Sequence, residues 1–361
     1  MSLRDVRRSV GRLAIVGFEG QSVSAELRSL SREFDLGGVI YFARNIAEPG
    51  QVRELSIDCA ALAHEWPLWI SVDQEGGRVA RLRRPFTEWP PMITLGRSGD
   101  DTLTVKFARA MAAELKAVGI NLDYTPVLDV HTNPKNPVIG DRAYSERADD
   151  VARLGALMIQ TLQAEGVAAC GKHFPGHGDT STDSHFELPI VDQSPERLQA
   201  VELVPFRAGV QADVACIMTG HVLVPALDEK RPATLSPIII DGLLKREMGY
   251  RGIVISDDLG MKAISESTGL GEAMVLSLLA GCDAVLLCNQ TADEQAMALE
   301  AVVKAVESGR LPMTRVDDAL ERQERVKHQL LRTGRADVDV PLSVIGCEEH
   351  QQLAATMSKW L

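Results

Sequence analysis

Eight short apolar runs, separated by amphipathic stretches, constrain the fold of this chain more than any other feature. They cover residues 13–18, 37–42, 68–72, 119–122, 167–171, 214–218, 252–255 and 284–287. Most are unbroken rather than alternating, which is the pattern of parallel strands buried on both faces. Between them, segments such as 104–118, 151–165 and 292–307 read as helices. Eight strand–helix alternations predict a single α/β domain, a closed (β/α)8 barrel of the TIM type. A doubly wound open sheet is the alternative on pattern alone. No internal repeat, low-complexity tract or Ser/Gly linker divides the chain. We therefore expect one barrel domain over residues 1–335, with 336–361 as a C-terminal extension packing on it. The segment from 310 reads as helical through Thr333, with Val316, Ala319, Leu320 and Val326 as its apolar stripe.

The residues just after each run are more informative than the run itself. The strand ends carry Glu19, Arg44-Asn45, Asp73-Gln74-Glu75, Asp123, Lys172-His173, His221, Asp257-Asp258 and Asn289-Gln290. In a barrel these positions share the C-terminal rim, where such enzymes keep their chemistry. Contact with water explains one polar strand end, but it does not explain carboxylates, a lysine and histidines at several. The rim is expected to hold a pocket for a hydroxyl-rich ligand, with Asp257 fixed at the end of a buried strand.

Composition excludes several other classes. A formal charge of −12 repels phosphate backbones, so no nucleic-acid partner is expected. No stretch approaches the roughly 18 apolar residues of a membrane span, and the basic N-terminus lacks a secretory cleavage pattern. Six cysteines without CxxC or CxxH spacing read as buried reduced thiols rather than disulfides or a zinc site. These features predict a cytoplasmic protein without metal or organic cofactor. We expect it to act as a monomer on a small, hydroxyl-rich ligand.

The stretch 171–185, GKHFPGHGDTSTDSH, packs His173, His177, His185, Asp179 and Asp183 into one segment. Its glycines and Pro175 make it a loop beyond His173. A metal site would need His173 and His177 on one helical face, which Pro175 and Gly176 prevent. An acid–base pair is the better reading, because Asp183 and His185 are two apart in an extended loop. A carboxylate beside an imidazole orients it and favours its protonated form.

This stretch, together with VDQEGGRVARL (72–82), GDRAYS (140–145) and ISDDLGM (255–261), resembles glycoside hydrolase family 3. The likeness is greatest to its single-domain, NagZ-type β-N-acetylglucosaminidase branch and runs from about residue 10 to residue 335. Lesser matches are GGVIYFARNI (37–46), TPVLDV (125–130) and AGCDAVLLCN (280–289). The resemblance implies that Asp257 is the catalytic nucleophile and that His185, paired with Asp183, is the general acid/base. It also implies that Asp73, Arg142, Lys172 and His173 grip the sugar being released. His177, Asp179 and Met261 match motif positions and are expected only to shape the loop or line the pocket.

Taken as residues alone, these groups keep alternatives. Lys172 also reads as a barrel-interior ion-pair partner and Arg142 as a partner of Asp141 or Glu146. His173 reads as structural, Glu75 as a buried partner of Arg78, and Asp258 as a cap for the segment starting at Leu259. The resemblance implies a retaining exo-β-N-acetylglucosaminidase acting on peptidoglycan fragments, GlcNAc–anhydromuramic acid species, in cell-wall recycling. A sequence that closes after one barrel favours this branch over two-domain β-glucosidases or β-xylosidases. Rival readings are a phosphorylase on the same scaffold, hydrolysis assisted by the substrate's acetamido oxygen, a silent saccharide-binding protein and a metal hydrolase.

Overall fold

In a computed structural model that describes residues 2–182, 188–331 and 339–361, eight parallel strands close into a barrel. They are β1 (Ala14–Val16), β2 (Gly38–Tyr41), β3 (Trp69–Val72) and β4 (Leu122–Asp123) in the first half. The second half comprises β5 (Ala168–Phe174), β6 (Cys216–Thr219), β7 (Ile253–Asp258) and β8 (Ala284–Leu287). Each strand pairs with its chain neighbour. β8 returns to β1, with Ala14, Ile15 and Val16 opposite Val285, Leu286 and Leu287. Closure rules out the doubly wound sheet.

Every expected apolar run overlaps one strand, but β5 and β7 extend further than their runs. β5 continues past Gly171 to Phe174, with a register shift against β6, so Lys172 and His173 lie in the strand. β7 continues through both aspartates. Apolar patterning stops where side chains turn polar, whereas the ladder is made by backbone and does not stop there.

Successive side chains on each strand alternate between two layers. Ile15, Ile40, Trp69, Leu122, Cys216, Ile253 and Leu286 meet inside the barrel. Ala14, Val16, Val39, Tyr41, Ile70 and Val72 pack outward against the helices. Burying each large side chain of this kind contributes about 1.5–3 kcal/mol. The helices start where capping chemistry allows. Asp100 accepts the N–H groups of Thr102 and Leu103 to open Asp101–Ala117. Thr291 and Glu294 form a capping box on Ala292–Glu307. Among the described residues, no helix is long and apolar enough to cross a membrane.

Helix Met313–Leu330 closes the floor of the barrel, where Val326 and Leu330 join the interior cluster. Beyond it, His350 of helix Glu348–Ser358 lies 2.8 Å from the buried carboxylate of Glu114, which also accepts the Gly346 N–H. At the floor, the Lys327 ammonium donates to the Gly37 carbonyl (2.9 Å) and stands 5.4 Å from the Trp69 ring centroid. Burial drives its pKa down to about 7, against the attraction of Asp35.

That burial has a pH signature. The unfolded lysine titrates near 10.4 and the folded one near 7. Between those values only the unfolded chain holds the proton, so this residue's contribution to stability rises as pH climbs from about 7 to 10. Lys327→Met should therefore gain stability over wild type near neutral pH, and the gain should shrink toward pH 10. Urea unfolding of both proteins across that range measures it, and a difference independent of pH would contradict the account.

Candidate active site

A cavity of roughly 350 Å³ opens at the C-terminal ends of the strands. It is lined by Asp73, Arg142, Lys172, His173 and Asp257, all expected from the sequence, and by Arg81, His177, Asp258, Met261, Asn289 and Gln290. Every described residue expected to grip the sugar thus reaches one cavity. Asp183 and His185, the expected acid–base pair, lie outside the described residues.

One wall is a buried charge network. Lys172 is 2.7 Å from Asp73 and 2.7 Å from Glu75. Glu75 takes Arg142 in a fork, from Nε at 2.8 Å and Nη2 at 2.7 Å. Both alternatives for Arg142 and the one for Glu75 are thereby corrected. Glu75 pairs with Arg142 and Lys172, whereas Arg78 turns to Asp141. The cause is the barrel: β4 pairs with both β3 and β5, so their ends and the turn Gly140–Arg142 after β4 share one rim, across a sequence distance that local spacing does not span. Lys172 is an interior ion-pair partner and a cavity residue at once. Among the described residues its ammonium gives two of three N–H groups to carboxylates.

Charge in this wall is balanced by titration. Burial opposes ionisation of Glu75, but Arg142 and Lys172 outweigh it and hold the carboxyl far below its usual range. Burial also opposes the charge of Lys172, and Asp73 and Glu75 reverse that and raise it. Asp123, fully buried at the end of β4, is pushed well up by burial despite accepting the Gln74 N–H. Lys172, Arg142 and Arg81 thus face Asp73 and Glu75, and burial pushes the third carboxyl, Asp123, toward its neutral form.

His173 is oriented by a carboxylate that sequence reasoning did not single out. Its Nδ1 is 2.7 Å from Asp129, which also accepts the backbone N–H groups of His173 and His177. A carboxylate acceptor puts the proton on Nδ1 and leaves Nε2 for the cavity. The available signal was an aspartate inside the apolar stretch 125–130. His177 lies against Thr180, and its pKa is lowered to about 4 by burial and then by His173. Asp179 accepts from Thr132 and Gln193, which is a loop-shaping role. Arg81 had no local signal. It arrives through a hairpin, Gln74–Gly76 with Val79–Ala80, whose turn needs Gly76 and Gly77 at φ 110° and 57°.

The two aspartates of β7 do different things. Asp257 is half-buried in the cavity, and one of its oxygens accepts the Asp258 N–H at 2.8 Å. Burial raises its pKa, but His221, His173, that N–H and Lys172 together bring it below the ordinary aspartate value. Asp258 goes the other way, raised first by burial. Its carboxylate accepts the N–H groups of Gly260 and Cys288, each at 3.1 Å. It therefore ties the turn after β7 to the end of β8. It caps no helix, because Lys262–Thr268 begins after Met261 without a side-chain cap.

A parallel barrel with a carboxylate-rich, polar cavity at its C-terminal rim and an ionised aspartate at its centre is the arrangement of a glycoside-cleaving enzyme. The glycosyl hydrolase family 3 N-terminal domain matches residues 5–326, and the chain belongs to that family. Its relatives include a β-hexosaminidase of Nitrosomonas eutropha, 39% identical over 84% of this chain and 89% of the relative. A β-hexosaminidase A of Pseudoalteromonas piscicida is 34% identical over 92% of this chain and 60% of its own length. Among solved structures, a family 3 β-N-acetylglucosaminidase from Paenibacillus superposes with a TM-score of 0.92 at 42% identity. That match covers 100% of this chain and 69% of the other. NagZ from Neisseria gonorrhoeae, in complex with N-trifluoroacetyl-D-glucosamine, gives 0.80 at 31% identity over 96% and 97% of the two chains. The chain is a glycosidase.

Removing the centre of the charge wall should be costly. Glu75→Ala leaves Arg142 without its fork and Lys172 with one carboxylate, and should destabilise the fold by about 3–5 kcal/mol. Denaturant unfolding measures this, and a loss below about 1 kcal/mol would contradict the wall as described.

Proposed function

We propose that this glycosidase is a retaining exo-β-N-acetylglucosaminidase, a β-N-acetylhexosaminidase that forms its covalent intermediate on Asp257. One observation carries the choice of residue. Among the described residues lining the cavity, Asp73 is tied to Lys172 and Arg81 and Asp258 to backbone N–H groups, whereas Asp257 has no ion pair. Its second oxygen is left to attack, and its lowered pKa keeps it ionised at working pH.

In this reading Asp73, Arg142, Lys172 and His173 hold the sugar's hydroxyl and amide groups and aim its anomeric carbon at Asp257. Binding energy placed there lowers the barrier by orientation. His185, polarised by Asp183, gives its proton to the leaving oxygen and then takes one from water. A histidine does this near neutral pH without the raised pKa that a carboxylic acid needs. The β-hexosaminidase and NagZ relatives support the sugar specificity. The likeness to NagZ also supports peptidoglycan fragments, GlcNAc–anhydromuramic acid and its peptides, as substrates in cell-wall recycling.

Aryl β-N-acetylglucosaminide should be turned over in preference to aryl β-glucoside, and Asp257→Ala should abolish that turnover. Disappearance of the substrate as sugar phosphate in phosphate buffer would make the enzyme a phosphorylase instead. His185→Ala should slow substrates with poor leaving groups far more than activated aryl glycosides, and equal losses on both would remove the acid role. The pH dependence has a fixed sign. Asp257 must be ionised and sits below 3.8, so the acid limb of kcat/KM should lie below about pH 4. An acid limb near pH 6 would point to a different nucleophile.

A further inference from the structure

Behind Asp257 lies a buried polar chain that the proposed mechanism leaves unused. His221, two residues beyond β6, is fully buried. Its Nε2 is 2.9 Å from the carbonyl oxygen of Asp258, and its Nδ1 is 2.8 Å from Thr234 Oγ1. Thr234 meets Thr219 at 2.9 Å, and both threonines are fully buried. A carbonyl only accepts, so Nε2 carries a proton and donates it to Asp258.

We propose that His221 is a positioning residue that fixes the backbone of Asp258 and, through it, the direction of the Asp257 carboxylate. The inference rests on Asp257 being the attacking group. Asp258 is held from three sides. Its N–H donates to Asp257, its carbonyl accepts from His221 and from the Met261 N–H (3.0 Å), and its carboxylate accepts from Gly260 and Cys288. Of these, the His221 bond is the one made by a side chain reaching across from the neighbouring strand β6. Without it, the Asp258 carbonyl keeps only the Met261 N–H of its own turn, and Asp258, whose N–H orients Asp257, loses its side-chain tie to the segment after β6. A buried imidazole is a poor choice for packing alone, since an apolar ring fills the same space without needing two partners. The ring also acts on Asp257 directly. Against the opposition of burial, His221 is the largest influence favouring the ionised carboxylate.

The test pairs two substitutions in the aryl β-N-acetylglucosaminide assay. The amide nitrogen of His221→Gln reaches about as far as Nε2, whereas that of His221→Asn reaches only as far as Nδ1. Misplacement by about 1 Å costs on the order of 100-fold. His221→Asn should therefore lose about 100-fold in kcat, with KM and inhibition by N-acetylglucosamine within about threefold, while His221→Gln stays within about tenfold of wild type. Equal rates for the two variants, or a loss expressed in KM, would overturn the proposal. Should His221→Asn fail to fold, Thr234→Val frees the ring and must lower kcat about tenfold at unchanged KM, and an unchanged kcat overturns the proposal equally. Asp257→Ala in the same assay separates the two claims. If it keeps the wild-type rate, the reading of Asp257 falls and takes this proposal with it. If it is inactive while the His221 variants match each other, only the positioning role falls.

Discussion

Lys172 lies between Asp73 and Glu75, and Glu75 in turn holds Arg142 in a two-point fork. This chain of contacts joins the end of β3, the end of β5 and the turn that carries Arg142, three places far apart in sequence. Taking such charges from water is expensive, and removing any one member strands the others. The network therefore ties the barrel to the cavity. It also fixes these cavity-lining side chains in place before any ligand arrives, so binding need not order them.

Balance is kept by burial as much as by pairing. Asp123 sits in the same wall, and burial pushes it toward neutrality beside the paired charges of Lys172, Arg142, Asp73 and Glu75. The same logic separates Asp257 from Asp258. They are adjacent in the chain, yet their surroundings lower one pKa and raise the other. Divergent environments for neighbouring carboxyl groups mark sites where one holds charge for chemistry and the other holds structure.

The barrel was legible in the sequence because its strands are short, apolar and separated by helices with clear periodicity. Strand ends were less legible: Lys172, His173 and both β7 aspartates belong to strands whose apolar signal had already stopped. Residues of the cavity that stand within two positions after a strand's apolar run, such as Asp73, Lys172 and Asp257, were singled out from position and from resemblance. Asp129 and Arg81 were not, since one hides in an apolar stretch and the other reaches the cavity only through a glycine hairpin. The partner of Glu75 was misread for a general reason. Local spacing favours Arg78, three residues on, but the closure of the barrel, which gathers strand ends and turns on one rim, decides which charges meet.

The central claim is that a sugar becomes bonded to Asp257 during turnover. A fluorinated N-acetylglucosaminyl fluoride that forms such an intermediate quickly and releases it slowly would trap it, and proteolysis with mass spectrometry would locate it. The account predicts one fluoro-N-acetylglucosaminyl mass on the peptide that ends β7, with the bond at Asp257. A label elsewhere, or inactivation without any covalent sugar, would contradict it.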